Sequence, residues 1–597
     1  MTTSDDTLHA ASQQFKQNLE RIEALTQRLT EAMAHKRPVN AALEGPGPDL
    51  YVKTGASVIR ELMEKPSQIV EAQIAYWGQA MTHYMEATEA LRAGTLKAPV
   101  DTGRKDRRFS NPLWETHPYF NFIKQQYLIA ADAVHDNVAK LEGLDPVDRK
   151  RMDYFARQIV DMMAPTNFLA TNPDALERAV ATEGESLVLG LENLVRDVEA
   201  NRGDLVVTLA DRDAFKVGEN LGTSNGSVVY RNRLLELIQY APTTETVHKT
   251  PLVIFPPWIN KFYILDLKPA NSLIKWIVDQ GFTLFVVAWR NPGKDFADVG
   301  LETYVEEGYL TAIEQVKAIC GVKKVNAVGY CIAGTTLSLT LGLLKKRKDK
   351  SINSATFFTT LTDFSDQGEF STFLQDDFVD GIEAQCKADG VLSSYFMTRT
   401  FSYLRANDLI YQPAIRSYML GEKPPAFDLL YWNGDSTNLP GKMTVEYLRG
   451  LCQGNQLAGQ GYQVLGETVK LSDVQVPLMA IACETDHIAP WVASFKGVSQ
   501  MGSQDKTFIL SQSGHIAGIV NPPSRNKYGH YTSDTAIESS EAWKADSVFH
   551  EGSWWPRWGA WLAEKSGGEI PARAPGGPDH PVLCAAPGTY VVEIPEL

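Results

Sequence analysis

The sequence predicts an α/β protein with a mostly parallel sheet, preceded by a mostly helical N-terminal domain. Three observations predict it. Up to about residue 204 the apolar residues recur at helical spacing, whereas beyond Asp204 short β-rich runs alternate with helical segments. The third is the stretch Val325-Asn-Ala-Val-Gly-Tyr-Cys331-Ile-Ala-Gly334 followed by an apolar helix-forming run. An apolar strand that breaks at a glycine, carries one reactive side chain at its apex and re-enters as a helix is a strand, sharp turn and helix.

The helical region opens with Leu8, Phe15, Leu19, Ile22, Leu25, Leu29 and Met33, which form one apolar stripe on a helix. A second helical block runs from Pro66 to Leu91, followed by a linker over 93–103 and the basic run Arg104-Lys-Asp-Arg-Arg108. That run could meet anions or simply solvate a linker end. Pro118 to Met163 is rich in aromatics and alanine at helical spacing and is expected to be packed helix.

After Asp204, Ser227–Tyr230 and Leu234–Tyr240 are expected as early strands. The alternating series is then strand Pro251–Phe255, helix Asn271–Gln280, strand Thr283–Trp289, helix Tyr304–Ile319, strand Val325–Tyr330 and strand Ser354–Leu361. From about 362 to about 471 the alternation stops and aromatic-rich helical and loop sequence takes over. An insertion of that length between sheet strands is expected to be a cap over the strands' carboxyl ends. The sheet resumes at Val476–Ala482 and Thr507–Leu510, a last helix starts beyond Trp554-Trp-Pro556, and the Pro/Gly-rich residues 567–587 are expected as a loop or extended arm. The expected division is thus 1–204 and 205–597, with the cap inside the second part.

The strand, turn and helix around Cys331 have the form of a nucleophile elbow, with Cys where Ser is usual. This makes the second part an α/β-hydrolase fold with an inserted cap, or lid, subdomain. In that fold the triad follows in the order nucleophile, acid, histidine, on loops after late strands. The strand ending at Ala482 empties into Cys483-Glu-Thr-Asp486-His487, and the strand ending at Leu510 into Ser511-Gln-Ser-Gly-His515. Cys331 is therefore the candidate nucleophile, Asp486 the acid and His515 the base. His487 is a rival base, but it directly follows the acid, which suits a supporting role better; Glu484 is a rival acid. An oxyanion hole needs the N–H of the residue after the nucleophile, Ile332, and a second from the loop after an early strand. In Pro256-Pro-Trp258-Ile259-Asn260, Trp258 and Ile259 can donate main-chain N–H whereas the two prolines cannot, so one of those two is the favoured candidate.

Composition narrows the setting. At 44% hydrophobic and 22% charged the chain has globular composition, and no apolar run approaches a membrane span. The first residues lack the basic and apolar regions of a signal peptide, so a cytoplasmic location is expected. Six scattered cysteines without a Cys-x-x-Cys pair suit free thiols rather than disulfides or a zinc site, and no metal is expected. A net charge of −15 argues against general nucleic-acid binding.

Several blocks carry a resemblance. Gly329-Tyr-Cys-Ile-Ala-Gly334, Pro256-Pro-Trp-Ile-Asn-Lys261, Tyr263-Ile-Leu-Asp-Leu267, Ala288-Trp-Arg-Asn-Pro292, Tyr431-Trp-Asn-Gly-Asp-Ser-Thr-Asn438, Asp486-His-Ile-Ala-Pro-Trp491, Gly514-His-Ile-Ala-Gly518 and Gly552-Ser-Trp-Trp-Pro556 resemble signature blocks of polyhydroxyalkanoate synthases. Asp106-Arg-Arg-Phe109 and Met163-Ala-Pro-Thr-Asn-Phe-Leu-Ala-Thr-Asn-Pro173 resemble the long single-subunit, class I-like members. Ala333 departs from the family's Gly-x-Cys-x-Gly-Gly box, which puts the tightness of the elbow in question.

The resemblance implies polymerisation of (R)-3-hydroxyacyl-CoA to polyester with release of CoA, through a chain held on Cys331. It implies no cofactor beyond the CoA carried by the substrate, a homodimer, and a place at the surface of polyester granules with granule-associated proteins as partners. Trp432 and His487 are the candidate substrate contacts. A thioesterase or polyester depolymerase using the same triad, or a non-catalytic granule-coat relative, is the alternative.

Overall fold

A computed structural model describes residues 3–34, 82, 89, 92, 106–141, 143–201 and 203–595, with side chains from residue 17 onward. The expected helical block Pro66–Leu91 lies outside the described residues apart from single positions, as does the linker over 93–103. No described helix is long and apolar enough to cross a membrane. The chain divides into two compact units, residues 1–211 with 399–425, and residues 212–398 with 426–597.

The first unit is helical: α1 (Thr3–Ala34), α2 (Pro118–Lys140), α3 (Pro146–Met162), α4 (Pro173–Ala181) and α5 (Glu185–Ala200). Helix α3 starts where the Asp145 carboxylate accepts from the N–H groups of Val147 and Asp148, with Pro146 at the first helical position. Only part of the α1 stripe is covered: Leu25 is buried against Val188 and Val195 of α5, while Leu19, Ile22 and Met33 stay exposed. Ion pairs from Arg21 to Glu185 and Glu192 and from Arg28 to Glu199 flank that contact. Of the basic run, Arg108 is bound to Asp106 and to Asp161 (2.7 and 2.8 Å), so its charge is met within the unit.

Residues 399–425, read from sequence as part of the cap, belong to this unit. Tyr418 donates its hydroxyl to Asp197 (2.8 Å), and the Asn193 amide donates to the carbonyls of Ser417 and Glu422. A Cβ at Gly190 would stand 2.0 Å from the Tyr418 carbonyl oxygen, so only glycine admits this approach.

The second unit is an eleven-stranded sheet with helices. Its strands are β1 (Gly226–Arg231), β2 (Leu235–Tyr240), β3 (Leu252–Phe255), β4 (Leu284–Trp289), β5 (Val325–Tyr330), β6 (Ile352–Phe358), β7 (Leu478–Cys483), β8 (Lys506–Ser511), β9 (His530–Thr532), β10 (Val548–His550) and β11 (Cys584–Ala585). They lie in the order β10-β9-β8-β7-β6-β5-β3-β4-β2-β1-β11. The run from β4 to β8 is parallel, and the outer strands on either side are antiparallel. Strands β3, β4, β5 and β7 are buried along their whole length, which accounts for their largely apolar sequences in place of alternation.

Helix α6 (Ile332–Lys346) follows β5 directly, and α7 (Trp491–Gln500) follows the acid loop. Between β6 and β7 the chain makes helices at Asp376–Asp389 and Asp428–Gly434 and a hairpin, Tyr462–Val464 with Glu467–Val469. The hairpin packs on α6: a Cβ at Gly342 would stand 2.2 Å from Val469 Cγ1. The C-terminal arm is not pure loop. Glu569–Pro571 pairs with Thr246–His248, and β11 pairs with β1 at the sheet edge. There the buried Glu236 carboxylate accepts from the N–H groups of Thr589 and Tyr590 (2.8 and 3.0 Å).

Candidate active site

The turn between β5 and α6 places Cys331 at φ 55°, ψ −126°, a conformation non-glycine residues rarely adopt. Its surroundings enforce it. The Cys331 N–H donates to the Phe358 carbonyl on β6 (2.8 Å), and the Gly334 N–H donates to the Cys331 carbonyl (2.9 Å). A Cβ at Gly329 would stand 2.5 Å from Gly334 Cα, and one at Gly334 would stand 2.0 Å from Thr360 Oγ1. Strand and helix can approach this closely only because both positions are glycine. Cys331 is left partly exposed at the amino end of a 15-residue helix.

Asp486 and His515 stand just past the carboxyl ends of β7 and β8, adjacent parallel strands. The His515 Nδ1 to Asp486 Oδ2 distance is 2.6 Å. Asp486 Oδ1 accepts from the N–H groups of Ile488 and Ala489 (2.8 and 2.9 Å), so both carboxylate oxygens are engaged. Cys331 stands close enough to His515 for its charge to act on the imidazole. Burial by itself would lower the affinity of His515 for a proton. The negative charges of Asp486 and Cys331 outweigh burial and hold its pKa well above 6.5.

On the other side of the elbow, the Trp258 indole donates to Thr336 Oγ1 of α6 (3.2 Å), which ties the loop after β3 to the elbow helix. Among the described residues, neither the Trp258 nor the Ile259 N–H donates to a backbone carbonyl, and neither does Ile332 at the start of α6.

Known proteins share this architecture. Residues 105–277 match the family described as Poly-beta-hydroxybutyrate polymerase (PhaC) N-terminus, and residues 251–522 match the alpha/beta hydrolase fold. The Poly(3-hydroxyalkanoate) polymerase of Methylorubrum extorquens is 40% identical over 577 residues, covering 94% of this chain and 94% of that protein. The Poly(3-hydroxyalkanoate) polymerase subunit PhaC of Rhizobium meliloti (strain 1021) is 39% identical over 540 residues, covering 90% and 88%. That of Cupriavidus necator is 38% identical over 536 residues, covering 88% of each chain. The chain belongs to the poly(3-hydroxyalkanoate) polymerase family.

The other candidate residues have contacts of their own. Glu484 lies 3.3 Å from Lys544, and its N–H donates to the Ser511 carbonyl. His487 occupies the turn that wraps the Asp486 carboxylate. Trp432 is buried in the main core with its indole donated to the Lys261 carbonyl (2.7 Å), so its polar atom is committed to the fold. Burial pushes the thiols of Cys320 and Cys386 up, to about 11 and about 12, and raises those of Cys452 and Cys483 as well.

Two supporting residues escaped the sequence reading. Tyr330, directly before Cys331, donates its hydroxyl to the His515 carbonyl (3.3 Å) and stacks on its ring at 6.0 Å. Tyr309 donates to the Ala333 carbonyl (2.8 Å) and stacks on Phe255. Tyr330 sits inside a signature block, so its position was visible; Tyr309 lies in a π-helical turn, Tyr304–Leu310, that carries no sequence signal.

Proposed function

We infer that this polymerase-family chain polymerises (R)-3-hydroxyacyl-CoA, with Cys331 as nucleophile, His515 as its base and Asp486 as the acid. The observation that carries the reading is the 2.6 Å Asp486–His515 pair beside a cysteine held at a strained elbow. Cys331 Sγ gives its proton to His515 and attacks the acyl thioester carbonyl; the C–S bond to CoA breaks, and CoA leaves with the proton from His515. The product is again a thioester, so the acyl group stays activated. The 3-hydroxyl of the next monomer, deprotonated by His515 or Asp486, attacks that carbonyl and releases the Cys331 thiolate. The lengthened CoA ester then reacylates Cys331. N–H groups of Ile332 and of Trp258 or Ile259 serve the tetrahedral oxyanion.

No cofactor or metal enters these steps, CoA being brought in and released with the substrate. The insoluble product suggests work by a homodimer at the surface of cytoplasmic polyester granules, with granule-associated proteins as neighbours. The test is CoA release together with polymer recovery from purified protein. Polymer with Cys331-linked acyl chains supports the reading, and free hydroxy acid without polymer refutes it.

A further inference from the structure

Four residues of the block Tyr431–Asn438, Trp432, Asp435, Ser436 and Thr437, grip the loop after β3. The Trp432 indole donates to the Lys261 carbonyl (2.7 Å). Asp435 takes the Lys261 ammonium (2.7 Å) on one oxygen and the Tyr263 hydroxyl (2.8 Å) on the other. Ser436 and Asn260 form an antiparallel bridge. Thr437, itself buried, holds two successive carbonyls: its N–H donates to Ile259 (3.4 Å) and its hydroxyl to Trp258 (3.1 Å).

The last contact decides which N–H can serve the reaction. A trans peptide is planar, with its C=O and the following N–H antiparallel. The Trp258 carbonyl and the Ile259 N–H share one plane, so when Thr437 Oγ1 captures the carbonyl the Ile259 N–H must point the opposite way. Among the described residues that N–H meets no backbone acceptor. The Trp258 N–H shares its plane instead with the Pro257 carbonyl, which accepts from Asn260 (3.4 Å) within the loop's own turn. The plane with a fixed external anchor is that of Ile259. Its other restraint is the Trp258 indole on Thr336 of the elbow helix, which keeps the loop in register with Cys331.

We propose that Thr437 is a positioning residue, which by holding the Trp258 carbonyl aims the Ile259 N–H as the second oxyanion donor for acyl transfer at Cys331. This rests on the reading of Cys331 as nucleophile. A serine-sized hydroxyl suffices for the role; a methyl group in its place leaves a buried carbonyl without a donor and frees the plane to rotate.

The experiment compares Thr437→Val and Thr437→Ser with the full-length protein, using (R)-3-hydroxybutyryl-CoA. Deleting an oxyanion donor outright costs about 100- to 1,000-fold in kcat. Thr437→Val, which misaims the donor, should lower kcat by roughly 10- to 100-fold with little change in KM, and Thr437→Ser should restore most of it. Alkylation of Cys331 by iodoacetamide forms no tetrahedral oxyanion, so its rate and pH profile should stay as in the parent protein. If Thr437→Val does not fold, the same pair of measurements is made on Thr437→Ala. Unchanged kcat, or an alkylation rate that falls in step with kcat, overturns the proposal. Failure of the nucleophile reading shows separately, as CoA release that survives Cys331→Ala.

Discussion

Asp486→Asn should separate the two half-reactions. Asp486 Oδ1 accepts two backbone N–H groups, from Ile488 and Ala489, and Oδ2 faces His515 Nδ1. An asparagine must keep its oxygen on the two N–H donors, because an NH2 there would leave both unmet. Its NH2 therefore faces His515 Nδ1 and turns that nitrogen into an acceptor. The imidazole proton moves to Nε2, which leaves no lone pair to take a proton from the thiol or the monomer hydroxyl. The two acceptors of that loss differ. A thiol is far more acidic and more nucleophilic than an alcohol, so first acylation of Cys331 should slow by only about tenfold. An alcohol has no such reserve, and losing its base costs about 100- to 10,000-fold in elongation. The assay is a rapid-mixing count of CoA released per active site, with mass analysis of the acyl-enzyme. In the variant one equivalent is released and then little more. Equal loss in both half-reactions refutes the tautomer argument and the separate role of the acid.

Cys331→Ala should abolish CoA release with the fold intact, whereas Cys320→Ala and Cys452→Ala should remain active; equal loss in all three sinks the assignment. The pKa of His515 is held above 6.5 against burial by Asp486 and Cys331. The stabilisation from that ion pair is thus complete below about pH 6.5 and is lost as pH rises through the raised value. Removing the Cys331 sulfur should therefore lower the His515 pKa, and an unmoved imidazole titration by NMR contradicts the contact. Gly334→Ala drives a methyl into Thr360 Oγ1 at 2.0 Å and should destabilise the protein by about 1–3 kcal/mol in chemical denaturation. A wild-type midpoint there shows that the elbow has slack.

The elbow and its partners were legible in the sequence because they sit on strict local patterns. Val325–Tyr330 is buried on both faces and reads as a largely apolar run interrupted only by Asn326, and Asp486 and His515 each follow a strand with an apolar core by a few residues. What stayed hidden joins distant residues without periodicity. Residues 399–425 belong with the helical unit because Gly190, Asn193 and Asp197 receive them, and no spacing in either stretch announces a contact over more than two hundred residues. The Pro/Gly-rich arm conceals strands of two or three residues, too short for a period of two to show. Thr437 and Trp258 are 179 residues apart, and a threonine's choice of carbonyl leaves no trace in composition.

Ala333, the departure from the family box, is settled by the same contacts. The close approach of strand to helix passes through Gly329 Cα and Gly334 Cα, where a Cβ would meet backbone or Thr360. Ala333 is fully buried, and its carbonyl is drawn by Tyr309 towards Phe255. Its methyl is therefore accommodated without moving either glycine, and Cys331 still takes the strained φ of 55°. A residue in such a conformation carries about 1–3 kcal/mol of strain, which persists only where neighbours over-determine it. Here the neighbours are the Phe358 and Cys331 carbonyls, the two glycine contacts and the Tyr309 hydroxyl. Tyr330 adds the step that matters for chemistry. The backbone of Tyr330 is the last residue of the elbow strand, and its hydroxyl holds the backbone of His515. The same residue thus fixes the direction of the nucleophile and the position of its base, so a shift in one strand moves both together and preserves the distance between them.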